Sequence, residues 1–204
     1  NIVRETSLVE CTFLSSSDIA DFRVRYFLSD REIPFAGHPT IATAMSLISR
    51  SKHVKNKLVF ETLAGLIHVE VSCSGDQTKI SMTQPKPKFG FKIEKKVLSE
   101  IGGIPENSIL FKPQVVSTGL PFPIVLVDTL ETLQKVTIDY QALDKFRATS
   151  SENDLMEPFW VCLSPPRENG ITFSRLLLQS GGRSEDPFTG SATGAMAAYL
   201  WDNG

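Results

Sequence analysis

The residues best suited to chemistry lie at the predicted starts of two helices, and the first start is FAGHPT at positions 35–40. Gly37 permits backbone conformations closed to other residues, and Pro39 suits the first turn of a helix. Such a start exposes backbone N–H groups and the positive end of the helix dipole, which bind anions. His38 lies at this start, where it could donate to a substrate oxygen or carry a proton. The alternative is a turn histidine that only caps the helix.

The second predicted start is EDPFTGS at positions 185–191. Here Asp186 could cap the helix and Pro187 sets its entry, while Gly190 and Ser191 offer backbone N–H groups and a hydroxyl. The alternative is that Asp186 is an N-cap with no other duty. If the two starts face each other, their positive ends converge on one cleft, which would favour a carboxylate substrate.

Glu10 is the third candidate, a lone carboxylate between Val9 and Cys11 that leads into a predicted strand at 11–14. Burial there would raise the pKa of Glu10 towards the range useful for proton transfer. The alternative is an ordinary exposed glutamate at a strand end.

The elements that must position these residues follow from the hydrophobic pattern. We expect a helix end at 1–8, a strand at 22–28, a helix at 39–49, and an antiparallel meander at 57–82. Residues 84–90 are expected to be a connector, followed by a helix at 93–101, a second β-rich half with surface helices within 130–147, and a final helix at about 191–201. Both helices that begin at the candidate sites are rich in small residues and almost uncharged. They must therefore be wrapped on every side, which a sheet curled around a central helix achieves.

An internal repeat supports two similar halves. Setting the residues from Arg25 over those from Arg175, without a gap, matches the two arginines (175 − 25 = 150). The same register matches Leu28 to Leu178, Ala42 to Ala192 and Thr43 to Thr193. The shared plan is a strand, a polar Gly/Pro turn and a helix of small residues, although coincidence is the alternative.

The composition and the absence of known motifs argue against several classes of protein function. The 204 residues carry a net charge of −2, so no basic excess exists for nucleic acid, and the basic stretch at 50–57 is interpreted as a solvated helix end. Three cysteines without a CxxC spacing favour a reduced, cytoplasmic setting, and no apolar run is long enough to span a membrane. The sequence lacks GxGxxG, Walker, HExxH and GxSxG motifs, and its histidines, His38, His53 and His68, are not spaced as metal ligands. We therefore expect neither a metal nor a cofactor.

Three separated motifs resemble those of the phenazine-biosynthesis PhzF-like isomerase family. FAGHPTIATA resembles the family's Gly-His-Pro-Thr signature, EDPFTGSATGA its Asp-Pro-x-Thr-Gly-Ser-Ala signature, and IVRETSLVECTFL a stretch ending in Ser-Glu-Thr. They occur in the family's order and span nearly the whole chain. By this resemblance Glu10 is the acid/base residue, His38 and Asp186 also act in catalysis, and Gly37, Gly190 and Ser191 bind substrate.

The resemblance also implies a fold and a reaction. The fold is α+β and like that of diaminopimelate epimerase, with two similar domains, each a curled, mostly antiparallel sheet around a central helix, and the active site in the cleft between them. We place these domains at residues 1–112 and 113–204. The implied protein is a homodimeric isomerase that moves a proton between carbons of a small, cyclic carboxylate without metal or cofactor. The nearest enzymatic alternative is a two-cysteine epimerase, which would need a cysteine at each helix start, where this chain has His38 and the turn at 186–191. The alternative from another class is a non-catalytic relative that binds a metabolite or a protein.

The sequence departs from the family pattern in three places. Ser-Glu-Thr is replaced by Val9-Glu10-Cys11, and the usual Arg-x-Phe-x-Pro is replaced by Arg175-Leu-Leu-Leu-Gln. Relative to the family, a first strand, part of the first helix and the final strands after Trp201 are also missing. We therefore expect that these residues are part of a longer protein.

Overall fold

The computed structural model describes residues 2–6, 8, 10–50, 55–75, 77–150, 155–163, 170–178, 185–187 and 189–204. All six predicted site residues lie in these ranges, whereas Val9 beside Glu10 and His53 lie outside them. The chain forms two compact units, Asn1–Lys86 and Pro87–Gly204. The predicted domain boundary after residue 112 stays a prediction. The segment 87–112 packs with the second unit, because its strand at 88–92 pairs with the second sheet and its helix at 95–102 joins the second core.

The first unit contains one six-stranded sheet. Its strand order is β1-β2-β4-β5-β6 with β3 paired to β2, and every pair is antiparallel except β2 with β4. The elements are α1 (Ile2–Glu5), β1 (Cys11–Ser15), β2 (Phe22–Phe27), β3 (Glu32–Ile33), α2 (Gly37–Arg50), β4 (Lys57–Thr62), β5 (Gly65–Ser74) and β6 (Gln77–Thr83).

The first sheet curls around α2. Along β5, Ile67, Val69 and Val71 are buried and alternate with exposed residues, so one face of the sheet is apolar. Helix α2 packs against both β1 and β6, which are the two ends of the strand order. One helix thus meets both end strands of the sheet, and the predicted curled sheet around a helix is confirmed here.

The second unit also contains a six-stranded sheet, in the order β12-β11-β10-β9-β8-β7, in which only β9 and β10 are parallel. The elements are β7 (Lys88–Lys92), α3 (Lys95–Gly102), a 3₁₀ turn (Glu106–Ser108), β8 (Gln114–Ser117), β9 (Pro121–Leu126), α4 (Leu130–Lys135), α5 (Tyr140–Thr149), β10 (Phe159–Cys162), β11 (Phe173–Leu177), β12 (Glu185–Asp186) and α6 (Gly190–Asn203). The α+β class with mostly antiparallel sheets is therefore confirmed.

The second sheet is buried along β9 and β10 because helices pack against it. Helix α6 contacts β8 and β9, and a separate core joins Trp160 and Cys162 of β10 to Leu98, Leu133 and Leu143 of α3, α4 and α5. At the end of α3, a Cβ added to Gly102 would lie 2.4 Å from the Trp160 ring. Glycine is therefore required where this helix meets the indole.

Two expectations about the connector and the central helices are wrong. Residues 84–90 were expected to be a connector, but residues 88–90 belong to β7, because the Pro/Lys-rich composition obscured the two-residue spacing of Phe89 and Phe91. The central helices are also not wrapped on every side: Met45 of α2 and Trp201 of α6 are 44% and 90% exposed. Strands contact only part of each helix, so one side of it faces outward. Among the described residues, no helix has the length and apolarity needed to cross a membrane.

The strand pairing corrects the register of the internal repeat. In the first unit Tyr26 of β2 pairs with Ile33 of β3, and in the second unit Leu176 of β11 pairs with Asp186 of β12. The offset is therefore 150 on the long strands (176 − 26) but 153 on the short strands (186 − 33). At 153, PFAGHPT (34–40) aligns with PFTGSAT (187–193), and α2 and α6 both begin at the matching glycines. The ungapped register thus holds for the long strands β2 and β11 and is wrong for the short strands and the helices.

Candidate active site

In the first unit, Glu10 and His38 are adjacent. Glu10 precedes β1 and His38 is the second residue of α2, and Glu10 Oε2 lies 3.8 Å from His38 Nε2. The Glu10 side chain is only 17% exposed, whereas the His38 side chain is 55% exposed. The structure thus brings together a carboxylate largely withdrawn from solvent and an imidazole that solutes can reach.

A buried tyrosine fixes the start of α2. The Thr40 hydroxyl donates to the Ala36 carbonyl at 2.6 Å, so the Tyr26 hydroxyl, 2.6 Å from Thr40 Oγ1, is the donor between the two. Burial raises the pKa of Tyr26 to about 12, which keeps this hydroxyl protonated and able to donate. Helix α2 is therefore tied to β2 within one turn of His38.

A second hydrogen bond ties α2 to β1. Thr12 Oγ1 and Thr43 Oγ1 are 2.8 Å apart, and Thr12 stands opposite Tyr26 in the β1–β2 register. Glu10 lies two residues before Thr12. Because the strand that follows Glu10 and the helix that carries His38 are both tied to β2, their separation is fixed by the sheet.

We expect Tyr26→Phe to loosen this arrangement. Loss of one buried hydrogen bond should lower the free energy of unfolding by about 1 kcal/mol, measured by urea denaturation. Tyr199→Phe is the matched control, since Tyr199 is equally buried and donates to the Lys112 carbonyl in the other unit. In a ¹⁵N NMR spectrum the His38 ring resonances should shift in Tyr26→Phe and not in Tyr199→Phe. Equal His38 spectra in the two variants would show that Tyr26 does not position the site.

In the second unit, Asp186 is not the helix N-cap that the sequence suggested. Asp186 ends β12, and the N-cap of α6 is Thr189, whose side chain makes no capping hydrogen bond. Instead the Thr189 hydroxyl donates to Asp186 Oδ2 at 2.5 Å. Asp186 lies three residues before this N-cap and is held in the sheet by its pairing with Leu176. From there its carboxylate orients the Thr189 side chain.

Gly190 and Ser191 are the first two residues of α6, as predicted. A Cβ built on Gly190 would meet no described heavy atom within 4 Å, so the described residues leave open space beside its backbone. Ser191 is buried, and its carbonyl accepts a hydrogen bond of 3.3 Å from the Thr118 hydroxyl. In the first unit, Gly37 occupies the matching position and is buried. Gly37 does not have a positive φ angle, unlike other described glycines such as Gly65. The expectation that Gly37 supplies a backbone conformation closed to other residues is therefore wrong.

The sequence missed the hydroxyl residues that hold these groups. The side chains that support the site are those of Tyr26, Thr12, Thr118 and Thr189. The partners of the first three lie 14 to 73 residues away, whereas Thr189 bonds to Asp186 three residues earlier. One signal was available: in the register of 153, Thr40 matches Thr193. Both threonines bond to the carbonyl four residues earlier, at 2.6 and 2.9 Å.

Comparison with known proteins decides the family. A family model described as phenazine biosynthesis-like protein matches residues 1–204. The chain belongs to this family. The resemblance predicted from three motifs is therefore confirmed.

Curated members of the phenazine biosynthesis-like family are similar along nearly the whole chain. An uncharacterised isomerase of Clostridium acetobutylicum is 31% identical over 98% of this chain and 67% of its own length. Trans-2,3-dihydro-3-hydroxyanthranilate isomerase of Pseudomonas chlororaphis is 29% identical over 100% of this chain and 68% of its own length. The chain thus spans about two thirds of the length of these relatives. The prediction of an isomerase is confirmed at the level of the family.

Solved structures confirm the fold. A phenazine biosynthesis protein of the PhzF family from Bacillus anthracis matches with a TM-score of 0.75 and 27% identity, over 98% of this chain and 68% of its own. A probable proline racemase from Agrobacterium radiobacter matches with a TM-score of 0.65 at 14% identity, over 95% of this chain and 60% of its own, which shows the fold alone. The predicted α+β fold with two similar domains is confirmed, and its neighbours include racemase-like folds.

Proposed function

We propose that this protein is a cofactor-independent isomerase that moves a proton between two carbons of a small, cyclic carboxylate. Glu10 is the acid/base residue. The observation that carries the proposal is the withdrawal of the Glu10 carboxylate from solvent, 3.8 Å from His38 at the start of α2. A carboxylate in such a place can accept a proton from carbon and return a proton to a second carbon.

The reaction breaks a C–H bond beside an unsaturated or carbonyl group. Glu10 takes the proton as an O–H, and the electron pair delocalises into the neighbouring π-system. Glu10 then returns the proton to a different carbon of the same system, so atoms and charge balance without a redox partner. His38, more than half exposed, donates a hydrogen bond to a substrate oxygen where negative charge develops.

We assign substrate binding to the start of α6. The open space beside Gly190 and the backbone N–H groups of the first helical turn suit an anionic group such as a carboxylate. Asp186 accepts a hydrogen bond from the Thr189 hydroxyl, and we assign it the further role of accepting from a donor group on the substrate. We also assign substrate binding to Gly37, the buried first residue of α2.

The named relative supports the choice of a cyclic carboxylate. The Pseudomonas chlororaphis protein is named for the isomerisation of trans-2,3-dihydro-3-hydroxyanthranilate, a ring that carries a carboxylate. At 29% identity this favours the same kind of reaction here and leaves the compound open. A homodimer, a cytoplasmic location, and the absence of metal and cofactor stay predictions.

The test is to follow deuterium into carbon. The full-length protein is incubated in heavy water with a panel of cyclic carboxylic acids that includes trans-2,3-dihydro-3-hydroxyanthranilate, and ¹H NMR and mass spectrometry report exchange. We expect at least one compound to gain one deuterium at carbon. Binding of a panel member without any exchange would overturn the isomerase proposal in favour of a metabolite-binding protein.

A further inference from the structure

Both repeated hairpins carry the same ion pair. In the first unit, Arg25 on β2 donates to both carboxylate oxygens of Glu32 on β3, at 2.8 and 2.6 Å. In the second unit, Arg175 on β11 donates to both carboxylate oxygens of Glu185 on β12, at 3.0 and 2.9 Å. The arginines match at an offset of 150 and the glutamates at 153, as the corrected register requires. Such a two-pronged pair fixes geometry as well as charge.

The pair in the second unit is built into the surrounding structure. Arg175 is 17% exposed, whereas Arg25 is 52% exposed. Arg175 Nη1 also donates to the carbonyls of Leu133, Gln134 and Val136 at the end of α4, at 3.0 to 3.2 Å. One guanidinium therefore joins β11, β12 and α4.

This junction acts on a strand of only two residues. Strand β12 consists of Glu185 and Asp186, which pair with Leu177 and Leu176 of β11. Whatever fixes Glu185 also fixes the backbone of Asp186 beside it. Asp186 in turn accepts from Thr189, the N-cap of α6. The chain of contacts runs from the end of α4 to the start of α6.

We propose that Arg175 is a positioning residue that sets the place of the Asp186 carboxylate and the start of α6. The inference rests on the proposed function in assigning a role to Asp186, and it adds the residue that holds Asp186 in place. Arg25 makes the same pair in the repeat, but the residue beside its partner Glu32 is the apolar Ile33. The ion pair in the first unit therefore holds only its hairpin, whereas the ion pair in the second unit also holds the candidate site residue Asp186.

The test compares Arg175→Lys and Arg175→Met with the matched changes Arg25→Lys and Arg25→Met in the full-length protein. Lysine keeps the charge but cannot bind both Glu185 oxygens and the α4 carbonyls together. We expect the amide exchange rate of Thr193, which donates to the Thr189 carbonyl, to rise at least about tenfold in both Arg175 variants. Exchange in β9 should stay unchanged, and the Arg25 variants should leave Thr193 unchanged.

Activity on the compound found by deuterium exchange gives the second readout. We expect kcat to fall about tenfold or more in Arg175→Lys, with KM changed less than about threefold. Unchanged Thr193 exchange in Arg175→Lys would overturn the proposal, as would equal loss of protection in β9, which means a merely structural role. The Asp186→Asn variant separates the positioning role of Arg175 from the proposed role of Asp186 in the reaction. If it is inactive while Arg175→Lys is fully active, the positioning role fails and the proposed function stands. If it is fully active, the role of Asp186 fails, and Thr193 exchange still decides whether Arg175 holds α6.

Discussion

Replacing Glu10 with glutamine is expected to lower kcat by about 10³-fold while substrate affinity changes less than about threefold. The amide is nearly the same size and can stay beside His38, whose Nε2 lies 3.8 Å from Glu10 Oε2, but it cannot accept a proton from carbon. Turnover is measured on the compound that exchanges deuterium, and affinity by isothermal titration calorimetry.

Two further variants sharpen this prediction. Glu70→Gln on β5 is the matched control, because Glu70 is an exposed glutamate of the same unit and should leave kcat unchanged. Glu10→Asp keeps the charge but shortens the side chain by one methylene, so it should retain more activity than Glu10→Gln. Full turnover with deuterium uptake in Glu10→Gln would remove Glu10 from the mechanism.

The fold and the helix starts were predictable because their signals are local. Gly37 and Pro39, followed by a run of small residues, indicated where α2 begins to within two residues. The alternation through β5 indicated a strand with one buried face. These patterns reflect backbone conformation and burial, which neighbouring residues largely determine.

The support of the site could not be predicted, because it depends on pairing across long stretches of chain. The contact between Tyr26 and Thr40 requires that β2 and α2 be docked, and nothing in either segment alone indicates it. The role of Asp186 was misplaced for a similar reason. A ten-residue separation along the chain hides its pairing with Leu176, so an N-cap was the simplest local interpretation.

Asp186→Asn is expected to lower kcat/KM by about 10²-fold. In the parent protein the Thr189 hydroxyl donates to Asp186 Oδ2 at 2.5 Å, and the asparagine amide oxygen can still accept this hydrogen bond. The start of α6 should therefore stay in place while the negative charge is lost. The exchange rate of the Thr193 amide is therefore expected to stay within about twofold of the parent. Asp202→Asn is the matched control, since Asp202 is exposed at the opposite end of the same helix and should leave kcat/KM unchanged.

Asp186→Ala and Thr189→Ser separate charge from positioning. Alanine removes both the charge and the acceptor, so it should lose activity and also speed exchange at Thr193. Serine keeps the hydroxyl that donates to Asp186 and should retain most activity. If Asp186→Asn were as active as the parent while Asp186→Ala was not, Asp186 would act only by holding Thr189. The chemistry would then rest on Glu10 and His38 in the first unit, and the carboxylate of Asp186 would have no direct part in proton transfer.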